Sequence, residues 1–413
     1  MAGGERAPRR PFAGRRIVLG VSGGIAAYKA IQLARDLTQA GAAVEVVLTP
    51  GALEFLRPLT FEALTGRAAY TTAFVSGDPL LHIRLARDAD AVVVAPATAN
   101  FLARAAAGMA DDLLAATLLA TEAPVVLSPA MNDRMYAHPQ TQANLRRLAE
   151  IGYRIAGPGV GPLAWGEGVG PGRLLESAEI LAHLGRALEG DGPLSGRRIV
   201  VSAGPTREAI DPVRYLSNRS SGRMGYAIAA AAWRRGAEVM LVSGPSALEP
   251  PVGAHLVRVE SAEEMRCAIA EALPKADALV MAAVVADFRP AEPAGAKIKK
   301  EKQGVPELRL EPTPDVLRAT RELRPSGCVV VGFALETDDV LANGRRKLES
   351  KGLDLLVVND ATEPGAGFEV ATNRVTLLQP DREDEELPLL SKDEVADRIL
   401  DRVEPLLPRA EGA

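Results

Sequence analysis

The same opening occurs twice in this chain. GRRIVLGVSGG starts at Gly14 and GRRIVVSAGP at Gly196, each a short apolar run that ends in glycine-rich turn residues. Such a run reads as the first strand of a βαβ unit. Behind the first lies a helical pattern to Ala40, a stop at Gly41 and a second strand, AAVEVVLTP; behind the second lies a helical pattern to Arg235, then Gly236 and AEVMLVSGP. Further apolar runs at residues 91–94, 125–127, 278–285, 329–333 and 355–358 alternate with helical stretches. This alternation predicts an α/β fold of two Rossmann-like domains, each with a parallel sheet flanked by helices. A chain of 413 residues also exceeds the size at which one core keeps growing. The stretch 190–196 reads as a linker, which sets the domains at 1–192 and 193–413.

The repeats differ in length. Gly14 and Gly41 are 27 positions apart and Gly196 and Gly236 are 40 apart, so the second unit carries 13 extra residues between strand and helix. The insertion, around 211–222, is polar and is not explained by packing. Residues 157–172, dense in glycine and proline, read as a mobile loop. Alternation around Asn373, within 368–390, predicts an antiparallel extension, and an amphipathic helix follows near residues 392–406. Residues 1–14 read as a frayed tail.

Composition excludes several classes. Lys and Arg number 48 against 53 Asp and Glu, a formal net charge of -5, so there is no global positive field for nucleic acid or an anionic membrane. The longest apolar run, residues 278–286, stops at Asp287, less than half of what spans a bilayer. Two cysteines, Cys267 and Cys328, and four histidines make neither a disulfide framework nor a cluster at metal-ligand spacing, which predicts no bound metal of that kind and a reducing, cytoplasmic setting. The basic N-terminus has no apolar stretch before a small-residue cleavage site, which argues against a signal peptide.

Ser22-Gly23-Gly24 lies between a strand and a helix start, where free N–H groups and the helix dipole attract an anion. Taken alone, such a turn is as readily structural. It is neither GxGxxG nor a P-loop, which leaves a nicotinamide dehydrogenase poorly supported. Its company is more specific: SGGIAAYK (22–29), APATAN (95–100), AAGMADDLL (106–114) and PAMNDRMY (129–136) together resemble the flavin-dependent cysteine decarboxylases. With the second half included, the chain resembles the bifunctional phosphopantothenoylcysteine decarboxylase/phosphopantothenate-cysteine ligases of coenzyme A biosynthesis.

For the first half, the resemblance implies a flavoprotein-type domain in which Ser22, Gly23 and Gly24 hold the FMN phosphate and Ala97, Thr98 and Asn100 lie near the flavin. His82 falls at the family's catalytic histidine, although a lone histidine is more often a packed or surface residue. Asn132 would hydrogen-bond the departing carboxylate; a helix N-cap is its plainer reading. The covering loop departs from the family's Ala-Cys-Gly pattern. It reads Ala164-Trp165-Gly166-Glu167, without the thiol that protonates the enethiolate in the family, and Glu167 is the expected substitute. Cys267 and Cys328 lie in the other domain in apolar contexts, where an inert buried thiol is expected.

In the second half, AGPTREAIDPVRYLSNRSSGRMGYAIA (203–229) is close to the family's ligase signature. The resemblance implies that CTP activates phosphopantothenate as an acyl cytidylate, from which cysteine's amine displaces CMP. Asn218 would stabilise that intermediate, or else belong to a plain turn. Asp287, at the end of an apolar run, and Phe333 fall at nucleotide-binding positions, with packing or capping as their simpler readings. Lys297, in a run with Lys299 and Lys300 that would otherwise be a solvated face, matches the lysine of acyl-nucleotide formation. Lys347 and Lys351, at i,i+4, would share a helix face and clamp a triphosphate; Asn359-Asp360 completes the match. Mg²⁺ is expected to arrive with the nucleotide.

The expected partners are thus small molecules (phosphopantothenate, cysteine and CTP), with no nucleic acid and no membrane, and the family implies a homo-oligomer, commonly a dodecamer. The alternative is an active ligase whose N-terminal half is a flavin-binding, non-catalytic scaffold.

Overall fold

The computed structural model describes residues 10–299, 307–336, 339–360 and 370–408. The chain divides into two compact units, one spanning residues 10–190 and the other starting at Asp191.

In the first unit the parallel strands are β1 (Arg16–Val21), β2 (Ala43–Leu48), β3 (Ala69–Tyr70), β4 (Ala91–Ala97), β5 (Val125–Pro129) and β6 (Arg154–Ile155), in the order β3-β2-β1-β4-β5-β6. Helices cover both faces, so the strands read as continuous apolar runs. Successive residues of β1 serve opposite cores: Ile17, Leu19 and Val21 join one buried cluster and Val18 the other. Helix α1 (Tyr28–Gln39) buries Ala30, Leu33, Ala34 and Leu37, the three-and-four spacing of one helical face. The remaining helices are α2 (Pro58–Thr65), α3 (Leu81–Asp88), α4 (Ala99–Ala106), α5 (Leu113–Ala120), α6 (Asp133–Ala137), α7 (Pro139–Glu150) and α8 (Ser177–Glu189).

The second unit repeats the plan with β9 (Arg198–Ala203), β10 (Arg207–Ala209), β11 (Tyr215–Ser217), β12 (Glu238–Ser243), β13 (Ala254–Arg258), β14 (Ala278–Met281), β15 (Phe288–Pro290), β16 (Leu310–Pro312), β17 (Val329–Glu336), β18 (Leu355–Asp360), β19 (Thr372–Asn373), β20 (Thr376–Leu378), β21 (Glu385–Glu386) and β22 (Leu390–Ser391), preceded in the first unit by the hairpin β7 (Gly159–Pro162) and β8 (Val169–Arg173). Its main sheet runs β13-β12-β9-β14-β17-β18-β20-β21, and the last two strands are antiparallel, as the alternation around Asn373 predicts. Its helices are α9 (Arg223–Arg234), α10 (Ala262–Ala272), α11 (Val316–Ala319), α12 (Val340–Lys351) and α13 (Lys392–Val403). Among the described residues no helix is long and apolar enough to cross a membrane.

Three expectations are corrected. Residues 10–14 are not frayed: Phe12 is only 7% exposed within the first core, and Gly14 N donates to Gly41 O at 3.0 Å; the rest of that expected tail lies outside the described residues. Residues 157–172, read as loop, hold two strands, β7 and β8, which pair antiparallel. The apolar run 278–286 is a strand only to Met281. Beyond it the ladder shrinks to a single parallel bridge, with Val284 N donating to Gly204 O (2.9 Å), while Ser202 Oγ accepts from Ala283 N (3.1 Å) and Thr206 Oγ1 from Ala286 N (3.0 Å), so hydroxyls take the neighbouring N–H groups on the way to Asp287.

Candidate functional site

In the first unit β1 is flanked by β2 and β4, and the sequence-adjacent strand leaves in a different direction on each side. That reversal makes a crevice at the carboxyl ends of these strands, where open α/β sheets place ligands. Ser22, directly after β1, is 2% exposed; its hydroxyl donates to Pro96 O at 2.8 Å and accepts from Thr98 N at 3.0 Å. The ends of β1 and β4 are thereby fastened together. Gly23 passes so close to the segment after β2 that a Cβ there would sit 2.4 Å from Gly51 C. Gly24 then caps a short 3-10 turn that leads into α1, and first-turn N–H groups of a helix lack intrahelical partners.

These residues open on a cavity of about 1080 Å³, large enough for a mononucleotide cofactor with its substrate, lined also by Thr98, Asn100, Asn132 and Glu167. Most of the expected first-half residues therefore converge, although they come from four separate segments. Thr98 N-caps α4. Asn132 N-caps α6, its Oδ1 accepting from Arg134 N at 2.9 Å, so the plainer reading is correct and the NH₂ end is left as the donor. Glu167 sits at the exposed tip of the β7–β8 hairpin, in a turn closed by Leu163 N to Gly168 O at 2.9 Å.

Two expected residues do not line the cavity. Ala97 is fully buried in the core, because its strand turns that side chain inward. His82, half-buried near the start of α3, is absent from the lining; Leu81 and Leu85 anchor its helix in the cluster that holds Leu114 and Leu118.

Sequence reasoning missed five charged residues that do line the cavity: Lys29, Arg104, Asp111, Asp112 and Arg173. Lys29 Nζ lies 2.8 Å from Glu176 Oε1 and 3.4 Å from Leu174 O; that lysine, with Arg173, holds the Glu176 carboxyl below its ordinary range. Arg104 contacts Asp111 Oδ1 (2.6 Å) and Asp112 Oδ2 (2.9 Å), and its buried Nε has no hydrogen-bond partner. Lys29 and the two acids stood inside the quoted motifs, but only the fold brings them to the cavity wall.

In the second unit the polar insertion is a β10–β11 hairpin. Asp211, at its tip, is 3% exposed and accepts from Val213 N (2.8 Å), Arg214 N (2.8 Å) and Ile298 N (3.1 Å) as well as from the Arg214 guanidinium. The Arg214 hydrogen bonds, foremost, hold its carboxyl far below the ordinary carboxylate range. Asn218 directly follows β11, and its Nδ2 donates to Val285 O (3.1 Å) and Val284 O (3.4 Å). That engagement ties Asn218 to the turn before Asp287.

Asp287 is exposed and belongs to the turn before β15 rather than to a strand end; its carbonyl accepts from Thr313 N at 3.0 Å. Lys297 is exposed beside the Ile298 backbone that Asp211 holds. Phe333 is half-buried on β17 against the core. Lys347 and Lys351 share α12 as expected, but Lys351 Nζ also lies 3.3 Å from Asp315 Oδ2. Asn359 Nδ2 donates to Asn373 Oδ1 at 2.8 Å while its own Oδ1 is buried without a partner. Lys300 and the side chain of Asp360 lie outside the described residues. Among the described residues no group of three or more His, Cys, Asp or Glu is placed to hold a metal ion.

Comparison with known proteins covers both units. Residues 5–188 match the family model described as Flavoprotein, and residues 194–406 match that of the DNA/pantothenate metabolism flavoprotein C-terminal domain. The chain is 45% identical over 402 residues to the coenzyme A biosynthesis bifunctional protein CoaBC of Vibrio vulnificus (strain YJ016), covering 96% of this chain and 99% of that one. It is 45% identical over 397 residues to the protein of the same description from Bacillus subtilis (strain 168), covering 95% and 97%. A solved structure of a CoaBC C-terminal domain is 41% identical and covers 52% of this chain and 97% of that one, with a TM-score of 0.45. Matches that run through both halves at this identity bear out the resemblance carried by the motifs: the chain belongs to the family of bifunctional CoaBC proteins of coenzyme A biosynthesis.

Proposed function

We propose that the chain performs two consecutive steps of coenzyme A biosynthesis. The second unit joins phosphopantothenate to cysteine through an acyl cytidylate made from CTP, and the first unit decarboxylates the product to phosphopantetheine with FMN. The observation that carries this reading is the near full-length identity to bifunctional relatives.

The residues present fit FMN. The Ser22–Gly24 turn is a cradle in which a Cβ on Gly23 would strike backbone, and its N–H groups at a helix start suit a phosphate. Thr98 and Asn100 flank it on the cavity wall, and Ala97, whose methyl is buried, places the backbone between Pro96 and Thr98 near the flavin. When bound, FMN supplies a two-electron acceptor that takes up and later returns a hydride.

The chain's own groups bind and move protons. Asn132 offers its NH₂ to the substrate carboxylate. Glu167, at the cavity mouth, hands a proton to the enethiolate in place of the absent thiol. His82 acts as the base; since it does not line its own chain's cavity, the reading calls for a neighbouring copy to present it, which makes a homo-oligomer part of the proposal.

In the ligase, the Lys297 ammonium offsets charge gathering on the transferred phosphorus. Asp287, Phe333, Lys347 and Lys351 contact the nucleotide, and Mg²⁺ enters with the triphosphate. Asn218, whose amide also supports the 284–285 turn, stabilises the acyl cytidylate.

Mass spectrometry after incubating the flavin-loaded protein with phosphopantothenate, cysteine, CTP and Mg²⁺ tests the whole sequence. Phosphopantetheine with CMP and pyrophosphate is expected. Phosphopantothenoylcysteine that accumulates unchanged would leave the ligase standing and reduce the first unit to a scaffold, the reading motivated by Trp165 where the family carries cysteine.

A further inference from the structure

The β10–β11 hairpin connects two parts of the second unit that are remote in sequence. At its tip the Asp211 carboxylate accepts from Ile298 N (3.1 Å), and Arg214, gripped by the same carboxylate, donates to Ile298 O (2.9 Å). Ile210 O accepts from Ala294 N (2.9 Å). The strand behind the tip ends at Ser217, whose hydroxyl donates to Thr206 O (2.7 Å), and continues into Asn218 with its hold on the 284–285 carbonyls. One short hairpin thus sets both the turn before Asp287 and the segment that carries Lys297.

Among the described residues little else fixes that segment. Lys297 is exposed and follows Ala294-Gly295-Ala296, which offer no side chain beyond a methyl. Its backbone position follows from the clamp on Ile298, the next residue. Resting on the reading of Lys297 given above, we propose that Asp211 is a positioning residue for acyl-cytidylate formation: it acts through the Ile298 backbone to place the Lys297 ammonium and does not itself touch substrate. A carboxylate is needed because it is acceptor-only. Asparagine would turn an NH₂ toward one of the donors now bound there, the Arg214 guanidinium with Ile298 N–H on Oδ2, or the N–H groups of Val213 and Arg214 on Oδ1.

The test uses full-length, flavin-loaded Asp211→Asn, Lys297→Ala and the double variant. The first half-reaction is followed as pyrophosphate release from CTP and phosphopantothenate without cysteine, and the second as the reaction of supplied acyl cytidylate with cysteine. Denaturation midpoints report integrity. Asp211→Asn is expected to lower kcat of the first half-reaction by about 10- to 100-fold, the scale of an ångström of misplacement, and to leave the second nearly unchanged. The double variant is expected to be no slower than Lys297→Ala. Equal losses in both half-reactions, or losses that multiply in the double variant, overturn the proposal, since a merely structural role predicts either. If Lys297→Ala itself forms acyl cytidylate normally, the reading of Lys297 fails and the proposal with it; if Lys297→Ala is inactive while Asp211→Asn is normal, only the positioning role fails.

Discussion

Replacing Gly23 by alanine probes the flavin turn most directly. The added Cβ would lie 2.4 Å from Gly51 C, 2.5 Å from Gly51 O and 2.7 Å from Gly51 Cα. Ordinary contact begins near 3.4 Å, so the two segments must part by about 1 Å. No side chain can swing away, because the obstacle is backbone. Nor can the strands slide: β1 and β2 are paired up to Val21 and Leu48, and Thr49 N donates to Val21 O at 3.0 Å. The strain falls on the turn. Overpacking of this kind costs about 1–3 kcal/mol; if it is relieved by opening the turn, the phosphate loses its N–H donors and FMN binds about 10- to 100-fold more weakly. Gly24→Ala is the matched control. Its Cβ would meet only the Thr98 Cγ2 methyl at 3.3 Å, and Gly24 has an extended φ of -163°, open to alanine. Flavin content of the purified proteins, FMN titration of the apo forms and ligase activity in the same chains measure the effect. Wild-type FMN affinity in Gly23→Ala, or an equal loss in Gly24→Ala, would refute the steric reasoning.

Glu167→Gln should release unsaturated enethiol in place of phosphopantetheine while still evolving carbon dioxide; an unchanged yield of saturated product by mass spectrometry excludes Glu167 as proton donor. Arg235→Met should destabilise the second unit by about 3–5 kcal/mol, because the guanidinium, 2% exposed, pairs with Asp397 (2.7 Å), Asp401 (2.9 Å) and Glu404 (2.8 Å), and its loss removes the buried cation these acids share, leaving Arg234 on Asp397. Urea unfolding of the full chain measures this, and an unchanged midpoint contradicts it. Burial lowers the Lys392 ammonium from 10.5 to about 8, with Arg223 adding to the effect. The unfolded state therefore binds more protons between those values, so stability from this group rises as pH climbs from about 8 toward 10.5; Lys392→Met should flatten that rise in the pH dependence of the midpoint. Burial pushes the Cys328 thiol up to about 11 while Cys267 is exposed, so an alkylating reagent at mildly alkaline pH should label Cys267 first, as peptide mapping would reveal.

Much of the framework was legible because it is local. Apolar runs such as IVLGV and VVVA form strands buried on both faces, and the spacing of Ala30, Leu33, Ala34 and Leu37 reports a helix packed on one side. Glycines at 41 and 236 stop helices through positive φ, which any reader of local pattern can use. The errors arose where side chains override pattern. Residues 282–286 are as apolar as a strand, yet Ser202, Thr206 and Asn218 capture their backbone and turn it. Residues 157–172 look like loop because glycine and proline hide a two-strand pairing.

By itself the sequence determined two α/β units, their order and, through motif resemblance, the family. Only the tertiary structure decided which residues meet. Ser22 reaches Thr98 across 76 positions because β1 and β4 are neighbours in the sheet, and Asp211 reaches Ile298 across 87 because a hairpin tip lands on that segment. Likewise it withdrew Ala97 into the core, kept His82 off its own chain's cavity and engaged the Asn218 amide with backbone. Strand and helix formation depends on neighbours a few bonds away, whereas a site depends on strand order and on the direction each side chain leaves its strand, and local pattern specifies neither.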